Sequence, residues 1–138
     1  MYDVISGMWS VLQAPNEHPH ASVVTLNNKI FIAGGDGMAN RSLDVFNTIN
    51  NTWSTVQLSD ARYDMAIGVA NNKIIFLGGN YSNKIDVYND NTGALSSSLL
   101  SEGVTGVIAA TLNDKCFFAG FLYQGGNAIT NTVIIIQP

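Results

Sequence analysis

The side chains able to do chemistry are few and scattered. His18 and His20 flank Pro19, and Glu17 adjoins the first of them. Arg41 and Arg62 are the two arginines, and Cys116 is the one cysteine. A guanidinium grips a carboxylate or phosphate in two-pronged fashion. Tyr63, Tyr81 and Tyr123 offer rings that can stack on a sugar or a peptide. Two histidines at i, i+2 are a weak signal for a metal. A lone cysteine excludes an internal disulfide and any multi-cysteine zinc site within one chain. No Gly-x-Ser-x-Gly, His-Glu-x-x-His or phosphate-binding loop occurs. Asn40, Asn50 and Asn80 open Asn-x-Ser/Thr triplets, which chance supplies in an asparagine-rich chain. No cofactor and no metal site is expected.

The composition narrows the setting. The chain has 138 residues, 46% of them apolar, enough for a packed core. Charged residues are only 12%, with a net charge of −4. An acidic chain with six lysines and arginines has no electrostatic footprint for nucleic acid or an anionic membrane. The opening Met-Tyr-Asp-Val lacks a basic leader, and no apolar run approaches the roughly 18 residues of a membrane span. A cytoplasmic setting is the default expectation.

The elements that must position these groups repeat along the chain. Asn27-Asn28-Lys29-Ile30 matches Asn71-Asn72-Lys73-Ile74 and Asn113-Asp114-Lys115-Cys116. Gly34-Gly35 matches Gly78-Gly79, then Gly120-Phe121. Leu43–Asn47 matches Ile85–Asn89, and Trp9 matches Trp53, then Leu95. The steps are 44 and then 42 residues. Each period holds four short strand signals, as in Ala21–Leu26, Ile30–Ala33, Leu43–Phe46 and Trp53–Leu58, and no helical periodicity. An all-β propeller with one blade per unit is predicted. The Asn-Asn turns suit tight hairpins that need positive φ. Trp9 and Trp53 are expected to fill the wedge between blades, and Cys116 to lie in the core. His20 is expected to pack near the axis.

The pattern resembles kelch repeats. That family has a strand ending in a double glycine, a Tyr-Asp-like strand end, a Trp about seven residues on, and an Arg before the next strand. Gly78-Gly79 and Tyr88-Asn89 fit, as do the spacings Tyr2 to Trp9 and Phe46 to Trp53, with Arg62 in the Arg position. The third unit departs, with Phe121 for the second glycine, Leu95 for Trp and Val104 for Arg.

The expected organisation is a single domain, residues 1–138. An N-terminal outer strand (8–13) precedes blades at 21–58 and 65–100. A last blade at 107–136 supplies Val107–Leu112, Lys115–Gly120 and Thr132–Ile136 but not its own outer strand. Propellers close with roughly four to eight blades. Three would leave open edges that template association. A homodimer closing one six-bladed ring is therefore expected, each N-terminal strand completing the other subunit's last blade. The alternative is a piece of a longer six- or seven-bladed chain.

The resemblance implies that ligands meet the face carrying residues 14–20, 36–42, 58–64, 80–84, 100–106 and 121–131. That face collects the candidate binding residues Glu17, His18, Arg41, Arg62, Tyr63, Tyr81 and Tyr123. Lys29, Lys73 and Lys115 fall on the opposite face. Arg62 has a structural alternative, bonding the backbone of a neighbouring blade. Loop 121–131 reads as a lid, a partner contact or a plain insertion. The expected function is a non-enzymatic binding module for a protein, peptide or glycan. The alternative, on the likeness of kelch propellers that include sialic acid epimerases, is a small carbohydrate enzyme. There Arg41 or Arg62 would hold a sugar carboxylate and Glu17 or His18 would carry a proton.

Overall fold

The computed structural model describes residues 2–35, 40–124, 127–129 and 132–138, the side chains of 123–124 and 127–129 excepted. The described residues form strands and turns without a helix. The first sheet is β1 (Ser22–Leu26), β2 (Lys29–Ala33), β3 (Ser42–Asn47) and β4 (Thr52–Gln57), paired in sequence order. The second repeats it with β5 (Ala66–Ala70), β6 (Lys73–Leu77), β7 (Lys84–Asn89) and β8 (Ala94–Leu99). The third contains β9 (Gly103–Leu112), β10 (Lys115–Gln124), β11 (Asn127–Ile129) and β12 (Val133–Ile136). All pairings are antiparallel, and matching residues take matching partners. Phe46 faces Trp53 in the first sheet as Tyr88 faces Leu95 in the second.

Turn chemistry sets the hairpins. Asn71 and Asn72 have φ of 51° and 55°, and Asn113 and Asp114 have 46° and 60°. Paired left-handed residues are what a two-residue hairpin turn requires, and Asn and Asp tolerate them. The double glycine answers a different need. Gly78 has φ of 68°, and a Cβ there would run into Val104. A Cβ at Gly79 would overlap the carbonyl oxygen of Tyr63. The chain leaves the strand through a gap that only glycine fits, where the next connection passes.

The sheets stack face to face, β1 against β5, and β5 against β9 and β10. Two cores result. Phe31, Ala33, Ile74, Phe76 and Tyr88 fill the first, with the Phe31 and Tyr88 rings 5.5 Å apart. Ile75, Leu77, Val104, Cys116 and Phe118 fill the second. Strand β6 divides the two, sending Ile74 and Phe76 one way and Ile75 and Leu77 the other, all four fully buried. Being covered on both faces, it reads as a continuous apolar run rather than an alternation.

Three expectations change. Residues 8–13 form no strand, and Trp9 makes only an isolated bridge to Tyr2. With no sheet beside it, Trp9 is 79% exposed instead of wedged between blades, while Trp53 is half-buried against Phe46. His20 is exposed, not packed near the axis, and sits at φ of 56° in a turn. The third hairpin is longer than predicted. Phe121 cannot take the second glycine's left-handed turn, so β10 runs on to Gln124 through a register shift between Ala119 and Phe121. Part of the expected loop 121–131 is thus strand, pairing with β11. Residues 36–39, 125–126 and 130–131 of the predicted face lie outside the described residues.

Candidate functional site

The groups predicted to converge on one face divide between internal clamps and an exposed loop surface. Arg62 stands in the connection from β4 to β5 and is 1% exposed. Its guanidinium donates to the carbonyls of Gly78 (3.1 Å) and Lys84 (2.8 Å), and Nη2 pairs with the Asp86 carboxylate. Asp86 also accepts from Ser97 Oγ and from the Ser59 amide at 3.2 Å. Burial pulls the Arg62 pKa down, against the opposing pull of Asp86. Two buried polar atoms in this connection, Arg62 Nε and Ser59 Oγ, have no hydrogen-bond partner among the described residues.

His18 occupies the same place one repeat earlier, 44 residues before Arg62. Its Nδ1 lies 2.5 Å from the Gly34 carbonyl oxygen and its Nε2 lies 2.9 Å from Asp44 Oδ2. Gly34 and Asp44 are the repeat equivalents of Gly78 and Asp86. Both imidazole nitrogens lie within hydrogen-bond distance of an acceptor, and which of them donates depends on the tautomer. The ring occupies the place of the guanidinium. Asp44 is completed by Thr55 Oγ1 at 2.6 Å and by the backbone and side chain of Asn16. Burial alone would raise the Asp44 pKa, but the hydrogen bonds from Thr55, His18 and Asn16 outweigh it and hold the pKa below its ordinary value.

The third sheet abandons the clamp at both ends. Register equivalence puts Ile134 where Asp44 and Asp86 stand, since Phe118 faces Ile134 as Phe76 faces Asp86. Val104 takes the cation's place. Both pack in the second core. Replacing both members of a buried ion pair avoids leaving one charge stranded, which is the costly change.

The remaining candidates stay nearer the surface. Tyr63 is half-buried, and its hydroxyl donates to Asn80 Oδ1 at 3.2 Å. Tyr81 is 59% exposed, and it and Asn80 have φ of 59° and 47°. The loop is held by Ser82 N to Gly79 O (2.9 Å) and Val104 N to Ser82 O (3.1 Å). Glu17 and Arg41 are exposed, with Asn40 Nδ2 donating to the Glu17 carbonyl at 2.6 Å. Tyr123 lies on β10 opposite Ala128, its side chain outside those described. The structure thus brings Tyr63 and Tyr81 to one loop cluster, and Glu17 beside Asn40 and Arg41 to another. Sequence reasoning missed Asn80, which its place beside the double glycine could have revealed. Lys84 Nζ, at the edge of the face, lies 3.2 Å from the Ser59 carbonyl and 3.6 Å from Asp60. A shallow cleft of about 150 Å³ opens there, lined by Ser59, Lys84 and Ser97–Leu99.

On the opposite face Lys29 Nζ pairs with Asp90 at 2.6 Å, tying one sheet to the next. Among the described residues no cluster of three or more His, Cys, Asp and Glu is placed to hold a metal. No helix among them is long and apolar enough to cross a membrane.

Residues 18–57 match the sequence model of the Kelch motif. That segment holds His18, Gly34-Gly35, Asp44 and Trp53. The first sheet carries that motif, and the three sheets are blades of a β-propeller fold. Among 105 matching chains of known structure is that of YjhT. It is similar to this chain with a TM-score of 0.66 at 15% identity, over 79% of this chain and 35% of that one. The chain thus spans about a third of YjhT, and the likeness is one of fold. No curated protein matches the sequence. By repeat position, His18 in the first blade corresponds to Arg62 in the second and Val104 in the third.

Proposed function

We propose that this chain is a non-enzymatic binding module whose loop face meets a protein, a peptide or a glycan. The observation that carries the reading is Tyr81, a large ring that is 59% exposed on a backbone held in the left-handed region. A bulky residue there costs on the order of 1–3 kcal/mol, and such residues gather at binding sites. Tyr63 and Asn80 adjoin it, giving an aromatic surface with polar edges on a rigid scaffold.

The enzyme reading loses support from the same geometry. Arg62 and His18, wanted for the sugar carboxylate and the proton, spend their hydrogen bonds on Asp86, Asp44 and backbone carbonyls. Arg41 and Glu17 remain exposed, but a proton carrier and an anion grip need a shared pocket.

The test is a peptide-display panning and a glycan array probed with the wild-type chain and with Tyr63→Ala/Tyr81→Ala. The proposal expects a bound set that the double variant loses while its melting temperature stays within a few degrees. Retention of every hit by a folded double variant would overturn the assignment of this face. Turnover of a sialic acid or other sugar anomer by the wild type would overturn the non-enzymatic reading.

A further inference from the structure

Charge on the folded chain is divided between its two faces. The hairpin turns of one face carry Lys29, Lys73 and Lys115 against Asp90 and Asp114. The described loops of the other carry Glu17, Asp60, Asp64 and Glu102 against Arg41 and Lys84. Arg62 adds no charge there, because Asp86 cancels it inside the clamp. The two remaining cations have acidic company. Arg41 follows Asn40, whose side chain holds the Glu17 carbonyl. Lys84 Nζ lies 3.6 Å from Asp60. Asp64 and Glu102 are left over: among the described residues neither forms an ion pair.

Those two carboxylates flank the tyrosines. Asp64 follows Tyr63 and is exposed, and its amide donates to the His20 carbonyl at 3.2 Å. Glu102 is partly exposed and precedes Gly103, where a Cβ would overlap the Tyr81 carbonyl oxygen. The glycine thus lets the start of β9 lie directly against the Tyr81 backbone. The Val104 amide donates to the Ser82 carbonyl at 3.1 Å and ties the two loops together. Aromatic rings bordered by unpaired carboxylates suit one kind of side chain. A tyrosine face attracts a cation. A carboxylate closes a two-pronged pair with a guanidinium. An anionic ligand would instead meet uncompensated negative charge.

We propose that the tyrosine-bearing loop face takes a basic peptide, its arginine side chains lying over the rings of Tyr63 and Tyr81 and pairing with Asp64 and Glu102. This names the partner of the binding module above and rests on that reading. Arginine suits the site better than lysine, because its planar cation both stacks on a ring and pairs in two-pronged fashion. The lysines of the opposite face repel the same peptide, so the division of charge also decides which side is met. A glycan lacks the cation that this arrangement selects.

The test is fluorescence polarisation with a labelled Gly-Arg-Gly-Arg-Gly-Arg-Gly peptide and its lysine and glutamate counterparts. The wild-type chain is compared with Asp64→Asn/Glu102→Gln, which keeps both shapes and removes both charges. Asp114→Asn is the control: it removes a charge from the opposite face and matches Asn28 and Asn72 of the other repeats. The arginine peptide is expected to bind more tightly than the lysine one, and the glutamate one not at all. Affinity should fall roughly tenfold in Asp64→Asn/Glu102→Gln and stay unchanged in Asp114→Asn. Equal affinity in all three chains, or a preference for the glutamate peptide, overturns the proposal. Failure of the arginine peptide to bind the wild type overturns it too; if other ligands are then held and lost in Tyr63→Ala/Tyr81→Ala, the binding-module reading stands without it. Ligands kept by a folded Tyr63→Ala/Tyr81→Ala chain overturn that reading, and this proposal with it.

Discussion

Arg62 and Asp86 form a buried ion pair at the seam between the first two blades, their side chains 1% and 0% exposed. The pair is held from several sides, the arginine by two carbonyls and the aspartate by a hydroxyl and an amide. The connection leaving one blade is thereby fastened to the double-glycine turn and third strand of the next.

Breaking one side of that pair strands a charge. Arg62→Ala or Asp86→Ala should each destabilise the chain by about 3–5 kcal/mol. The third blade supplies the remedy. Arg62→Val/Asp86→Ile/Ser97→Val, which copies Val104 and Ile134 and removes the hydroxyl that serves the aspartate, should recover all but about 1–2 kcal/mol of that loss. Urea unfolding of the singles and the triple checks this, and a triple no better than the worse single contradicts it.

The first blade should be sensitive to acid through Asp44. Its folded pKa lies below the ordinary 3.8, because hydrogen bonds overcome the effect of burial. A group with a depressed folded pKa contributes stability that is fully present above its unfolded value. That contribution is lost as pH falls through the folded value. Urea midpoints should therefore drop between about pH 5 and pH 3, more steeply for the wild type than for Asp44→Asn, whose amide does not titrate.

Two glycines with nearly the same backbone should differ sharply. Gly78 and Gly93 have φ of 68° and 70°, yet a Cβ meets Val104 at the first and nothing within 4 Å at the second. Gly93→Ala carries only the left-handed penalty of about 1–2 kcal/mol. Gly78→Ala adds a clash in the core and should cost at least a further 1–2 kcal/mol. Equal unfolding midpoints for the two variants would argue against the packing described at the second seam.

Much of this was legible in the sequence because it is local. Asn71-Asn72 specified a turn and Gly78-Gly79 a gap, and their recurrence gave the blades before any packing was known. The clamp was half legible. Arg62 stands out by residue type, but the part His18 plays at the same repeat position does not, because its carbonyl and carboxylate partners come from β3 and the turn before it. Nothing in residues 16–20 announces those partners. The third blade's departure at Phe121 was visible, while its consequence was not. Losing the turn lengthens the hairpin, which put Tyr123 on a strand rather than in a loop.

Cys116 should be chemically silent in the native chain. It is fully buried in the second core, facing Gly68, where a Cβ would come within 2.7 Å of its sulfur. A thiol reagent should label it only after unfolding, at a rate that falls when the chain is stabilised. Rapid labelling under native conditions would mean that the seam between the second and third blades opens freely.

Amide hydrogen exchange of the wild-type chain tests most directly whether the buried Arg62–Asp86 clamp fastens one blade to the next. Peptides covering 58–64 and 84–89 are expected to be protected to a degree comparable with the central strand 73–77. Full exchange of 58–64 within seconds, beside a protected 73–77, would contradict it.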